Sequence, residues 1–264
     1  MSKLLIDTQS GIRTLTLNNP ERLNAINDDL SSQLEQALKE ASADDEVRVI
    51  VITGKGRGFC AGLDLSDFAA KHNKMASRTR YERLDDLGWV GRQALGIVGC
   101  DKPVIAAING IAAGAGLALA LACDLRFMAA SARVTAGYIR RGLSPDAGMT
   151  YFLPRLVGQT RATELILTGR DITPAEAEKI GLVNAVYSDE EFEQRVMEFA
   201  AELAGGPPIA MTFSKRLLVG SQDSDLTAIL KQELSLIKAC FETKDVMEGI
   251  QSFVEKRKPN FRGQ

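Results

Sequence analysis

The sequence predicts an α/β fold, a layered core built on a parallel sheet and followed by a helical C-terminal region. Three observations point to it. Strand-like and helix-like patterns alternate through the first half of the chain. Residues 47–52 and 103–108 are near-continuous β-branched runs, as expected of strands covered on both faces. The second half reads mostly as helix, broken sharply at Gly205-Gly206-Pro207-Pro208.

In order along the chain, residues 4–7 and 13–17 alternate apolar and polar on either side of Ser10-Gly11, the pattern of a hairpin. Asn27 reads as the N-cap of a helix with Asp28 and Asp29 in its first turn and Leu30, Leu34, Leu38 and Ala41 on its buried face. Residues 80–97 read as one helix crossing between the two buried strands, so right-handed crossovers are expected. Further on, residues 191–203 align Phe192, Val196, Phe199 and Leu203. Leu226–Phe241 aligns Leu226, Leu230, Leu234, Ile237 and Phe241. The Gly-Pro break divides an expected core domain, 1–204, from a helical region, 205–264. The latter is too short to hold a core alone and is expected to pack on the main domain or on a neighbouring subunit.

Composition narrows the functional classes. With 264 residues, 45% of them apolar and 25% charged, the chain can bury a full core. A net charge of -2 gives no general attraction to nucleic acid or anionic membranes, so neither is an expected partner and an anionic ligand must meet local basic groups. Lys3 and Asp7 interrupt the first apolar run, and no stretch approaches the ~20 apolar residues of a membrane span; a cytoplasmic chain is expected. Cys60, Cys100, Cys123 and Cys240 lack CxxC spacing and sit among apolar neighbours, so reduced, buried thiols are expected. His72 is the only histidine, and a surface helical position without a metal is its expected place.

Two small-residue segments carry the chemistry. Phe59-Cys60-Ala61-Gly62-Leu63-Asp64-Leu65 and Asn109-Gly110-Ile111-Ala112-Ala113-Gly114-Ala115-Gly116 each follow a strand-like run and present bare backbone N–H groups. Two such amides aimed at one point make an oxyanion hole, able to hold the charge that develops on a thioester carbonyl oxygen. Taken alone, the spacing of Gly110, Gly114 and Gly116 is also that of close helix packing. Gly54-Lys55-Gly56-Arg57-Gly58 lacks the ending of a phosphate loop and reads as a plain turn.

The pair of segments resembles the signature of the crotonase superfamily, the enoyl-CoA hydratase/isomerase family. The resemblance extends to Asn19-Pro20-Glu21-Arg22-Leu23-Asn24-Ala25, to Leu153-Pro154-Arg155-Leu156-Val157-Gly158 and to the tail from Phe253 to Phe261, nearly the whole chain. It implies a crotonase-like spiral of ββα turns with a C-terminal helical region, assembled as a homotrimer or dimer of trimers. It also implies an acyl-CoA substrate whose coenzyme A is part of the substrate, with no separate cofactor. By position, the oxyanion donors are the amides of Leu63 and Ala115, the latter near the first turn of a helix whose dipole favours an anion. Arg22, Leu23 and Ala25, with Ala61, Asp64 and Leu65, are implied CoA contacts, and Asp64 has a structural role in its loop. Lys256 and Lys258 are candidate partners for CoA phosphates.

The acid–base groups depart from the hydratase pattern. Where family hydratases carry two glutamates, this chain has Ala118 and Tyr138, so no carboxylate is available there to activate water. Asp146, in Pro145-Asp146-Ala147-Gly148, remains. Its local chemistry is that of a turn and of an N-cap for a helix starting near Ala147. The stretch also resembles the 1,2-epoxyphenylacetyl-CoA isomerase branch, in which an aspartate here shuttles a proton between carbons of the acyl group; desolvation would raise its pKa and suit it to that task. The region around Trp89 has no histidine, unlike the dehalogenase branch. Trp89 and Tyr138 are core-like residues also placed to wall an acyl pocket. The expectation is an acyl-CoA isomerase using Asp146, Leu63 and Ala115. A one-carboxylate hydratase and a non-catalytic acyl-CoA-binding protein are the alternatives.

Overall fold

The computed structural model describes residues 2–65 and 79–264, so His72 lies outside the described residues. β1 (Leu4–Gln9) and β2 (Ile12–Leu17) pair antiparallel around Ser10 and Gly11, both at positive φ (+50° and +79°). That two-residue geometry matches the twist of the strands it joins. β2 then pairs in parallel with β3 (Val49–Gly54), β3 with β5 (Val104–Ile108), β5 with β7 (Leu125–Ala129), and β7 with β10 (Ala185–Tyr187). Every residue of β5, and every residue of β3 except Thr53, is buried, which is why these runs carry no alternation.

Three strands of this six-stranded sheet hand the chain directly to a second, smaller one. β4 (Gly58–Cys60) follows β3, β6 (Ile111–Ala113) follows β5, and β8 (Val134–Thr135) follows β7; with β9 (Asp171–Ile172) they form a sheet in the order β4-β6-β8-β9. Helices come after each pair: Gly88–Val98, Ala115–Ala122 and Met149–Val157. This strand, short strand, helix succession is the expected ββα spiral. It brings the starts of successive helices beside the short strands, where the two small-residue segments lie.

The first long helix, Asp28–Ala43, starts as its sequence requires. Asn27 Oδ1 accepts from the Leu30 amide at 2.9 Å, and Leu30, Leu34, Leu38 and Ala41 are at most 1% exposed. The helix expected over 80–97 is instead two pieces, Arg80–Arg83 and Gly88–Val98. Between them the Asp85 carboxylate accepts from the Gly88 amide at 3.0 Å, and Gly88 takes φ +62°. Arg92 holds the Asp85 carboxyl below its ordinary range, so it stays an ionised acceptor.

Gly205 to Pro207 separate helices Phe192–Ala204 and Pro208–Ser221. The second is fastened to the main body. Buried Lys215 Nζ donates to Asp124 Oδ2 at 2.7 Å and to the carbonyls of Lys102 and Ile97, while Arg216 grips Asp101 through two 2.7 Å bonds. Leu226–Phe241 packs on it, yet Leu226, Leu230, Leu234, Ile237 and Phe241 are each more than half exposed. Cys240, in this helix, is only half-buried, which corrects the expectation of four buried thiols; Cys60, Cys100 and Cys123 are buried. The tail folds back on Lys244–Glu255: Glu248 takes Arg257 and the Asn260 amide, and Asp245 takes the amides of Arg262 and Gly263. Lys256 and Lys258 stay exposed. Among the described residues no helix is long and apolar enough to cross a membrane.

Candidate active site

The Asn19–Ala25 motif is a tight reversal. After the short 3₁₀ turn Pro20–Arg22, Leu23 and Asn24 both adopt left-handed backbone, at φ +51° and +57°. Asn24 tolerates this conformation, and its fully buried side chain staples the loop. It accepts from the Asn19 amide at 2.8 Å and donates to the carbonyls of Gly58 (2.7 Å) and Lys55 (3.1 Å). The loop is then zipped to the other motif by backbone. Ala61 N donates to Leu23 O, Ile26 N to Gly62 O, and Asp64 N to Ile26 O, at 2.7–2.9 Å. These bonds and the Arg22–Asp64 contact bring the loop carrying Arg22, Leu23 and Ala25 beside the segment carrying Ala61, Asp64 and Leu65. Arg22 Nη1 reaches Asp64 Oδ1 at 3.3 Å, a tie between the two loops consistent with a structural role for Asp64.

This pairing fixes the direction of the Leu63 amide. Its neighbours Gly62 and Asp64 supply both bonds to Ile26, so the Leu63 N–H points to the other side. Gly62, at φ +92°, is where the two segments meet: a Cβ there would lie 2.7 Å from Ala113 O and 3.4 Å from Ala115 N. Ala115 opens the helix Ala115–Ala122, behind Gly114 at φ +54°, ψ -124°, a conformation closed to L side chains. Gly116 presses on β4 so closely that a Cβ would sit 2.1 Å from Cys60 O. The glycines thus serve close packing as well, and both readings of their spacing hold. Among the described residues neither Leu63 N nor Ala115 N has a hydrogen-bond acceptor. Two amides without an acceptor among the described residues therefore lie on segments that meet at Gly62, that of Ala115 at a helix start, and form a candidate anion site.

Asp146 is not a helix cap. The following helix is Met149–Val157, preceded by Ala147 at φ +53° and Gly148 at φ +80°, and no side chain caps it. Two consecutive left-handed residues displace the helix start, and only the Asp146 carbonyl engages it, accepting from Met149 N at 3.0 Å. The carboxylate instead takes a 2.7 Å hydrogen bond from Tyr138 Oη. Tyr138 is buried, and a Cβ on Gly114 would touch its ring at 3.8–3.9 Å. Burial first, and the bond to Asp146 second, push the phenol above its ordinary range, so it is a neutral donor. Asp146 itself is exposed in the single chain rather than desolvated.

The remaining candidates fall as follows. Cys60 is sealed under the site, and burial pushes its thiol up to about 12, which excludes it as a nucleophile near neutral pH. Ala118 is fully buried inside its helix and offers no acid or base. Trp89 lies half-buried against the core in the first turn of Gly88–Val98. Lys55 and Arg57 are exposed on a turn that Asn109 holds through the Gly54 and Gly56 carbonyls, as expected of a plain turn. A cavity of about 590 Å³, walled by Leu121, Phe152, Met211 and Lys215 among others, lies at the far end of the Ala115–Ala122 helix and contains none of the predicted site residues. Sequence reasoning missed two features, the Tyr138–Asp146 bond and the Gly62 junction. Neither has a local signal, because each joins segments only the tertiary fold brings together.

Residues 7–264 match the family model described as enoyl-CoA hydratase/isomerase. The chain is 35% identical to the 1,2-epoxyphenylacetyl-CoA isomerase of Escherichia coli K12, over 100% of this chain and 99% of that protein. It is 37% identical to the 2,3-dehydroadipyl-CoA hydratase of the same organism, over the whole of both. Among solved structures it resembles an enoyl-CoA hydratase from Bacillus anthracis with a TM-score of 0.90 at 33% identity, covering 99% of this chain and 100% of that one.

Proposed function

Because the chain belongs to the enoyl-CoA hydratase/isomerase family, we propose that it is an acyl-CoA isomerase that moves a proton between carbons of an enoyl or ring-containing acyl group. The thioester oxygen sits between the amides of Leu63 and Ala115. The Asp146 carboxylate removes a proton from the α or γ carbon, the electron pair is delocalised onto the thioester oxygen as an enolate, and the carboxyl, whose proton exchanges with water because Asp146 is exposed, delivers a proton to the other carbon. The double bond moves and no atom is gained or lost. Arg22, Leu23, Ala25, Ala61, Asp64 and Leu65 hold the coenzyme A portion, Trp89 and Tyr138 wall the acyl group, and no cofactor beyond the substrate's own CoA is needed.

The observation that carries this reading is the placement of Asp146, tied through Tyr138 to the turn that presents the Ala115 amide. A hydratase is the second reading, favoured by the exposure of Asp146, which lets water reach it. Against it stand Ala118 and Tyr138, which supply no second carboxylate. The uncovered apolar face of Leu226–Phe241 supports assembly as a homotrimer or dimer of trimers. Mass spectrometry of enoyl-CoA and ring-acyl-CoA substrates after incubation discriminates the readings. An isomer of unchanged mass supports the proposal, a product heavier by one water supports the hydratase, and binding without either product supports a non-catalytic protein.

A further inference from the structure

We propose that Tyr138 is a positioning residue for Asp146, locking the carboxylate and the oxyanion turn into one rigid unit; this rests on the isomerase reading above. The phenol donates to Asp146 Oδ1 at 2.7 Å, which leaves Oδ2 to meet the substrate carbon. The ring below that hydroxyl is buried over Gly114, the residue that aims the Ala115 amide. One side chain therefore spans from the base to the turn holding one of the two oxyanion donors.

The backbone fixes the other side. Pro145 precedes Asp146, and Ala147 is held at φ +53° immediately after it, a conformation that an L residue keeps only where its surroundings impose it. An exposed aspartate on a loop would ordinarily sample several rotamers. Here both its backbone and one carboxylate oxygen are set, and a base so held spends its time in the productive geometry.

Tyr138 does not itself take or give the proton. Its own hydroxyl is kept protonated, by burial first and by the bond to Asp146 second. The other titratable group facing it is the Cys60 thiol of β4, which burial keeps neutral. Arg140 and Arg141, on the 3₁₀ turn that Tyr138 begins, point to Asp171 and to the Gly137 carbonyl. Among the described residues the hydroxyl's side-chain hydrogen-bond partner is Asp146.

The test compares Tyr138→Phe, Asp146→Asn and the double variant, with 3-hexenoyl-CoA as probe. Tyr138→Phe keeps the ring on Gly114. It should unfold at the wild-type temperature and keep KM within about twofold, while kcat falls roughly 10- to 100-fold, the scale of a misplaced catalytic group. In the Asp146→Asn background the same change should cost nothing further, since the tyrosine acts only through the aspartate. Wild-type kcat in Tyr138→Phe overturns the proposal, as do additive losses in the double variant or a Phe variant that unfolds. Wild-type turnover in Asp146→Asn instead overturns the isomerase reading on which it stands.

Discussion

Replacing Gly62 by alanine strikes the junction on which the proposed oxyanion site depends. At φ +92° an L residue is strained by roughly 1–2 kcal/mol. The new Cβ would also lie 2.7 Å from Ala113 O, backbone against backbone, where neither side is a flexible tip that can swing away. Opening such a contact adds about 1–3 kcal/mol. The separation that relieves it displaces Leu63 from Ala115 by a sizeable fraction of an ångström, enough to lower kcat by about 10²-fold. Gly158→Ala is the control: Gly158 is at φ +82°, but nothing lies within 4 Å of its Cβ position. At φ +82°, ψ +156° it should lose only the conformational part, about 1–3 kcal/mol, with kcat unchanged. Urea unfolding reads the first quantity, and acyl-CoA turnover well below the unfolding temperature reads the second. Wild-type kcat in Gly62→Ala, or equal losses of activity in both variants, would refute the placement of the two donors.

Ala115→Pro deletes one donor at the first helical position, where proline is well tolerated, so kcat should fall by roughly 10²–10³ while the helix survives by circular dichroism. Lys215→Met leaves Asp124 and two carbonyls without their buried cation and should destabilise the chain by about 3 kcal/mol in denaturant titration, since Asp124 is partly exposed. At pH 8, iodoacetamide should label half-buried Cys240 first. Cys60 and Cys123, with thiols pushed up to about 12 by burial, should stay unlabelled until the protein unfolds, as read by peptide mass spectrometry.

Much of the architecture is written locally. The hairpin at Ser10-Gly11, the Asn27 cap and the two buried strands depend on turn chemistry and period, which a single sequence carries. The apolar spacing over 80–97 continues across the break and so hides it, whereas the Asp85 side chain and the conformation of Gly88 divide the helix. Pro145-Asp146 has the chemistry of a cap, yet two left-handed residues move the helix start to Met149 and release the carboxylate to Tyr138. The stripe of Leu226–Phe241 is legible as a face; what covers it is not a property of its periodicity. The two candidate oxyanion amides are legible only as a motif, while the contact between their segments, Gly62 against Ala113, joins stretches about fifty residues apart in sequence.

The central claim is that Asp146 moves the proton. Asparagine at this position keeps the shape and an oxygen for the Tyr138 hydroxyl, and removes the base. The direct measurement is deuterium uptake by an enoyl-CoA in D₂O, followed by mass spectrometry with wild-type protein and with Asp146→Asn. The wild-type protein should introduce deuterium at the α or γ carbon without adding water. The Asn variant should do so roughly 10²–10⁴ times more slowly at unchanged thermal stability. Wild-type exchange in the Asn variant, or a wild-type product heavier by one water, would contradict the account.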